Sequence, residues 1–113
     1  MPVSRKSYGC PVEFSLDLLG GKWKAVILAR LKQQPMRYGE LRRAIPDLSD
    51  KVLTQRLHGL CDDGLIALAE DGAGVAHYQV TEAGASLGPV LQALYDWGSA
   101  QSAAFGARIR AAD

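Results

Sequence analysis

The sequence predicts a mainly α-helical fold with one small β-hairpin, and three observations carry that prediction. Apolar residues recur at helical spacing through most of the chain, the period changes to strand-like alternation once, after Gly64, and Gly or Pro marks the breaks. The 113 residues with 48% hydrophobic content suit one core, so residues 1–113 are expected to form a single domain.

The first helix is expected from Pro11, with Val12, Leu16 and Leu19 at helical spacing until the pair Gly20-Gly21 stops it. In "KWKAVILARLKQQP" Trp23, Ile27 and Leu31 stand four apart, Val26 and Leu28 widen the stripe, and Pro35 ends the second helix. A short third helix lies in "YGELRRAIP", bounded by Gly39 and Pro46, with Leu41 and Ile45 on one side and Arg42 and Arg43 on another. The fourth, in "SDKVLTQRLHGLCDDGLI", opens at Ser49, a preferred N-cap, with Asp50 placing negative charge at the positive helix end. Gly64 stops it. Leu53, Leu57 and Leu60 fall within about 60° of one another on the helical wheel. Lys51, Gln55, His58 and Asp62 point the opposite way, and Thr54 and Arg56 flank the two sides.

After Gly64, "LIALAE" is short and apolar, "EDGAG" is a turn, and "AHYQV" alternates Ala76, Tyr78 and Val80 against His77 and Gln79, the pattern of a β-hairpin. Thr81 is then expected to cap one last helix lined by Leu87, Leu91 and Leu94, with Pro89 as a kink near its first turns. Val90, Tyr95 and Trp97 add apolar surface beyond that stripe. The Ala-rich end, "SAAFGARIRAA", is expected to fray.

Several function classes are excluded at this level. Apolar runs stay below the roughly 20 residues a membrane helix needs, and Arg5 and Lys6 are followed by no signal-type apolar core, so a soluble cytoplasmic protein with no membrane partner is expected. Cys10 and Cys61 are too few for a disulfide framework, and no Cys/His cluster has zinc spacing. His58 and Cys61 stand three apart on one helix, but a metal site or a nucleophile needs further partners and the only other histidine is His77. No metal, no cofactor and no enzymatic activity are expected. Cys61, near the leucine side of its helix, reads as core, and Trp23 and Trp97 read as packing anchors.

Charge is informative once it is divided. Residues 1–64 carry 11 Lys+Arg against 7 Asp+Glu, while residues 65–113 carry 2 against 5, so a near-neutral average hides a basic first half suited to polyanions.

The order of elements contains a tight helix-turn-helix in "ELRRAIPDLSDKVLTQRL", with Pro46 to Leu48 as the turn, and the hairpin that follows makes it the winged variant. In such a unit the second helix enters the major groove of double-stranded DNA while the first crosses the backbone. Arg42 and Arg43 then suit phosphates, serving all sequences alike. Lys51, Thr54, Gln55 and His58 suit base edges, with Arg56 beside them, and Ser49 sits where free N–H groups attract a phosphate. A polar helix face is more often simply solvated, and winged helices also serve as protein-docking modules without DNA readout; both readings stand beside this one.

The chain resembles the HxlR-type winged helix transcriptional regulators, a bacterial group related in architecture to the MarR-type repressors. The resemblance runs from "CPVEFSLDLLGGKWKAVIL" through "RYGELRRAIPDLSDKVLTQRLHGLCDDGLI" and "HYQVTEAG" to "LYDWG", about residues 10–98, leaving 99–113 as a C-terminal helix or tail. It implies a homodimer, joined through the first and last helices, acting as a repressor on a palindromic operator. The surplus apolar surface of the last helix independently favours a partner. The resemblance weakens at the wing, where "EDGAGVAHY" is short and places Glu70 and Asp71 near the tip; negative charge there argues against contact with phosphates.

Several relatives use a cysteine at the matching "CP" position to sense oxidants or electrophiles, so the resemblance makes Cys10 a candidate redox sensor and leaves room for a small-molecule or oxidant effector. With Pro11 at the first helical position Cys10 sits at the cap, where the dipole favours an anion, and Arg5 and Lys6 are nearby in sequence. The alternative is an unreactive small residue at a dimer contact.

Overall fold

Among the described residues leucine and isoleucine alone make up the buried apolar set, and their helical spacing decides which face of each element turns inward. The computed structural model describes residues 7–110. Among them, helices α1 (Pro11–Leu19), α2 (Gly21–Gln33), α3 (Tyr38–Ala44) and α4 (Asp50–Asp62) precede strands β1 (Ile66–Glu70) and β2 (Ala76–Val80), then α5 (Glu82–Ala85) and α6 (Gly88–Gln101). A 3-10 turn, Ser102–Phe105, follows α6. The mainly helical fold with one hairpin is as expected.

α2 is the central element, touching α1, α4, α6 and β2, and Ile27, Leu28 and Leu31 bury its inner face. Only Gly20 separates it from α1, and Gly20 and Gly21 have φ of 25° and 64°, a reversal that side chains with a Cβ resist. α1 buries Leu19 alone, while Val12 and Leu16 on the expected stripe lie exposed.

α4 ends in a Schellman motif. Gly64, with φ of 75°, donates its N–H to Cys61 O, and Leu65 donates to Leu60 O, each at 3.0 Å. The chain thereby turns directly into β1, which pairs antiparallel with β2 in the register Ile66↔Val80 and Leu68↔Tyr78. A feature not expected from the sequence extends this hairpin: Met36, between α2 and α3, exchanges two backbone hydrogen bonds with Tyr78, at 3.0 and 2.8 Å. The base of the wing is thus tied to the approach to α3.

The C-terminal third departs from expectation. Thr81 caps only the four-residue α5, accepting from Gly84 N at 3.1 Å, and α6 begins afresh at Gly88. Pro89 stands at the start of α6, where its missing N–H costs nothing, and not at a kink within one long helix. Of the expected stripe Leu91 is buried, Leu87 is half-buried and Leu94 is exposed. Trp23 packs against the core, but Trp97 is no core anchor: it is 62% exposed, its ring 5.9 Å from that of Phe105. The described tail is held by this ring contact and by an ion pair from Arg110 to Asp47.

Gly84 is where two backbones come closest. A Cβ there would stand 2.0 Å from Leu65 O, a carbonyl that already accepts from Thr81 N. Gly84→Ala is expected to destabilise the fold by about 1–3 kcal/mol, as overpacking does. Gly72→Ala, in open space at the wing turn, is expected to be close to neutral. Urea melts of the two variants check this; equal midpoints would contradict it.

Candidate nucleic-acid interface

The helix-turn-helix is assembled from its buried side chains outward. Leu41, Ile45 and Leu48 bury the inner side of α3 and of the turn, and Leu53, Leu57 and Leu60 bury one side of α4. The turn closes through Leu48 N to Ile45 O at 3.1 Å. Ser49 caps α4, its Oγ accepting from Val52 N at 3.2 Å. An ion pair from Lys24 Nζ to Asp63 Oδ2, 3.3 Å long and mostly shielded from solvent, fastens the far end of α4 to α2.

With that side of α4 occupied, Lys51, Thr54, Gln55 and His58 stand exposed on the other, none bonded through its side chain to another described residue. Asp62 shares this outward face at its far end. Arg56 differs from its expected grouping. It is half-buried, and its Nε is enclosed without a hydrogen-bond partner, because its wheel position lies beside the leucine stripe and the stem packs down against the protein.

The two arginines of α3 also separate. Arg43 is exposed and extends over Gly39, with no ion partner among the described residues. Arg42 is half-buried and committed within the protein: Nε donates to Asp50 Oδ1 at 2.8 Å and Nη1 to Leu48 O at 2.5 Å. Tyr38 Oη donates to the same Asp50 oxygen at 2.7 Å. The Tyr38 hydrogen bond and the neighbouring Arg42 charge hold the Asp50 carboxyl below its ordinary range. Sequence reasoning named neither Tyr38 nor this role for Asp50. The available signal was Tyr38 and Arg42 four apart on one helix, with an acid at the start of the next.

At the wing, Asp71 turns its carboxylate into its own loop, accepting from Ala73 N at 2.8 Å and Val75 N at 3.0 Å. These bonds hold its carboxyl low, so it remains an anion at neutral pH. Glu70 is exposed beside it. The wing is therefore acidic at its tip.

Cys10 is exposed and is the N-cap of α1, with Pro11 following at the first helical position. Its backbone N–H donates to Glu13 Oε1 at 2.9 Å, so a carboxylate already faces the positive end of that helix. Arg5 and Lys6 lie outside the described residues. Cys61 is half-buried against the core, and burial, then the Asp62 charge, push its thiol up. His58 and Cys61 gather no further ligands: among the described residues no three His, Cys, Asp or Glu side chains converge on a common point. No helix of this region is long and apolar enough to cross a membrane.

Comparison with known proteins gives this arrangement a family. The model of the HxlR-like helix-turn-helix family matches residues 18–104. The uncharacterized HTH-type transcriptional regulator YdzF of Bacillus subtilis is 41% identical over 103 residues, covering 85% of this chain and 91% of its own. Among solved structures, the redox regulator HypR in its oxidized form superposes with a TM-score of 0.72 at 33% identity, over 80% of this chain and 96% of that one. Quinone-bound YodB from B. subtilis gives 0.64 at 32% identity, over 80% and 97%. A family match across most of the chain, relatives of nearly the same length and the winged arrangement of α3, α4 and the hairpin agree: the chain belongs to the HxlR-like helix-turn-helix family.

Proposed function

We propose that this protein is a sequence-specific DNA-binding transcriptional regulator that works by occupying an operator, with no chemistry of its own. The observation that carries the reading is the sidedness of α4: three buried leucines on one side, and exposed Lys51, Thr54, Gln55 and His58 on the other, in the second helix of a helix-turn-helix. Relatives named as HTH-type transcriptional regulators support it. Lys51 and Gln55 reach base edges, the amide matched to adenine and the ammonium to guanine. Arg43 meets phosphate, as does the capped N-terminus of α4 at Ser49. Arg56 serves α4 through its packing. The acidic wing stays away from the duplex.

The protein acts as a homodimer on a palindromic operator, most simply as a repressor. Support comes from the apolar side chains that one protomer leaves uncovered on α1 and α6, among them Leu16 at 67%, Tyr95 at 70% and Trp97 at 62% exposure. Two-fold pairing of the protomers would mirror two half-sites one helical turn apart. Cys10, exposed at the start of α1, is the proposed point at which an oxidant or electrophile acts, a reading that the likeness to HypR and YodB supports.

Binding to duplex DNA is expected to weaken steeply with salt, log affinity falling linearly with log salt concentration. Arg43→Ala is expected to lower affinity for every sequence and to make that slope shallower by about 0.9, the value of one lost phosphate contact. Lys51→Ala and Gln55→Ala should instead erode the preference for the best site, by about 1–3 kcal/mol for a bidentate contact. Gel-shift titrations across salt measure all three; salt-insensitive binding, or identical behaviour of the variants, would contradict the reading.

Sedimentation equilibrium is expected to return twice the chain mass for the native protein and the single-chain mass for a Leu94→Glu/Trp97→Glu variant. A native protein that sediments as one chain would remove the dimer. Treatment with a quinone or a disulfide-forming oxidant is expected to change operator binding by the native protein and to leave Cys10→Ser unaffected; an equal response from both would exclude Cys10 as the sensor.

A further inference from the structure

On the DNA-reading function proposed above, we infer that Tyr38, Arg42 and Asp50 form a clamp that sets the angle at which α4 is presented to DNA, which makes Arg42 a positioning residue and not a phosphate contact. The clamp joins three consecutive pieces of backbone. Tyr38 and Arg42 stand one turn apart on α3 and converge on a single oxygen, Asp50 Oδ1, at 2.7 and 2.8 Å. Asp50 is the first residue of α4. The second arm of the Arg42 fork reaches the carbonyl of Leu48, in the turn between them.

A planar guanidinium with two acceptors in fixed directions constrains rotation as well as distance, which one ammonium-carboxylate pair would not do. The turn is gripped from both sides: below by the Leu48 side chain, 2% exposed, and above by Arg42 at its carbonyl. Neither the cap nor the leucine stripe of α4 provides this. The Ser49 cap acts within α4, and the leucine stripe decides which face of α4 turns inward, whereas the clamp ties the first residue of α4 directly to α3.

The clamp also settles an electrostatic conflict. Asp50 stands at the leading end of the helix proposed to enter the groove, its side chain 73% exposed, where an uncompensated carboxylate would oppose phosphate. Arg42 compensates that charge on the spot. So exposed a pair adds little to folding stability, but groups that read base edges must be held to within about 0.5 Å and 10–20°. Positioning is therefore where its removal is felt.

The test uses the full chain and a duplex that the native protein selects from a random pool, with a scrambled duplex for comparison. Affinities are measured by fluorescence anisotropy from 50 to 200 mM salt, below the melting temperature of each variant. Arg42→Gln is expected to lose about tenfold more in affinity for the selected duplex than for the scrambled one, since the Asp50 charge it uncovers opposes both duplexes alike. Arg42→Gln/Asp50→Asn should lose no more than the single variant, because the two residues act as a unit. Tyr38→Phe, which deletes one hydroxyl, should show the same selective loss in smaller measure, and it keeps the test open if Arg42→Gln does not fold. Equal losses on both duplexes with a slope shallower by about 0.9 would overturn the clamp and return Arg42 to the phosphates. Unchanged affinity in folded Arg42→Gln and Tyr38→Phe would also overturn it. A native protein that selects no duplex would instead overturn the DNA-reading function, and is distinguished by failing before any variant is compared.

Discussion

Leu53, Leu57 and Leu60, locked against the body of the protein, are the constraint from which the rest of this structure follows. A helix with one side buried shows the other side outward, so burial of three leucines decides that Lys51, Thr54, Gln55 and His58 are the side chains on display. The neighbouring features secure this arrangement at its ends. The Ser49 cap and the Asp50 network hold the beginning of α4, while the Lys24 ion pair and the Schellman turn at Gly64 hold its close. Truncating any one of the three leucines would cost about 2–5 kcal/mol, a large share of the stability of a domain this size. The proposed recognition surface and the core are two sides of one helix.

Much of this was legible in the sequence because it depends on local periodicity and punctuation. The leucine stripe of α4, its Ser49 cap and its Gly64 stop are each written within a few residues, and the hairpin shows in the alternation around Tyr78. What was illegible depends on distant or directional contacts. The expectation of one last helix counted the period through Leu87 and Leu91 correctly, but Pro89 has no N–H to give the Ala85 carbonyl, and the chain ends α5 at Ala85 and starts α6 at Gly88. The pairing of Met36 with Tyr78 joins segments more than forty positions apart by backbone atoms alone, which carry no residue signature.

Side-chain direction explains the mixed outcome at the candidate site. Arg42 and Arg43 are adjacent and chemically identical, yet one is committed to Asp50 and Leu48 while the other faces solvent. Sequence spacing separates them by about 100° around the helix but does not say which direction holds a partner. Arg56 shows the same limit from the other side: its type suggests a surface, but its position beside the leucines buries part of its stem. Asp71 is the converse case, an acid whose place at the wing tip was readable and whose inward bonds to Ala73 and Val75 were not.

The paired glycines between α1 and α2 bear on how any event at Cys10 could be felt elsewhere. Both occupy backbone conformations that a Cβ disfavours, so the reversal between the two rods rests on these two residues and not on side-chain packing at the joint. α1 keeps its seat chiefly through Leu19, one residue before Gly20, while its outer length carries uncovered apolar side chains. A rearrangement at the far end of α1 would therefore be spent against whatever lies on that outer surface before it could rotate α2. Communication with α4 would run laterally, through neighbouring contacts, and not along the covalent chain.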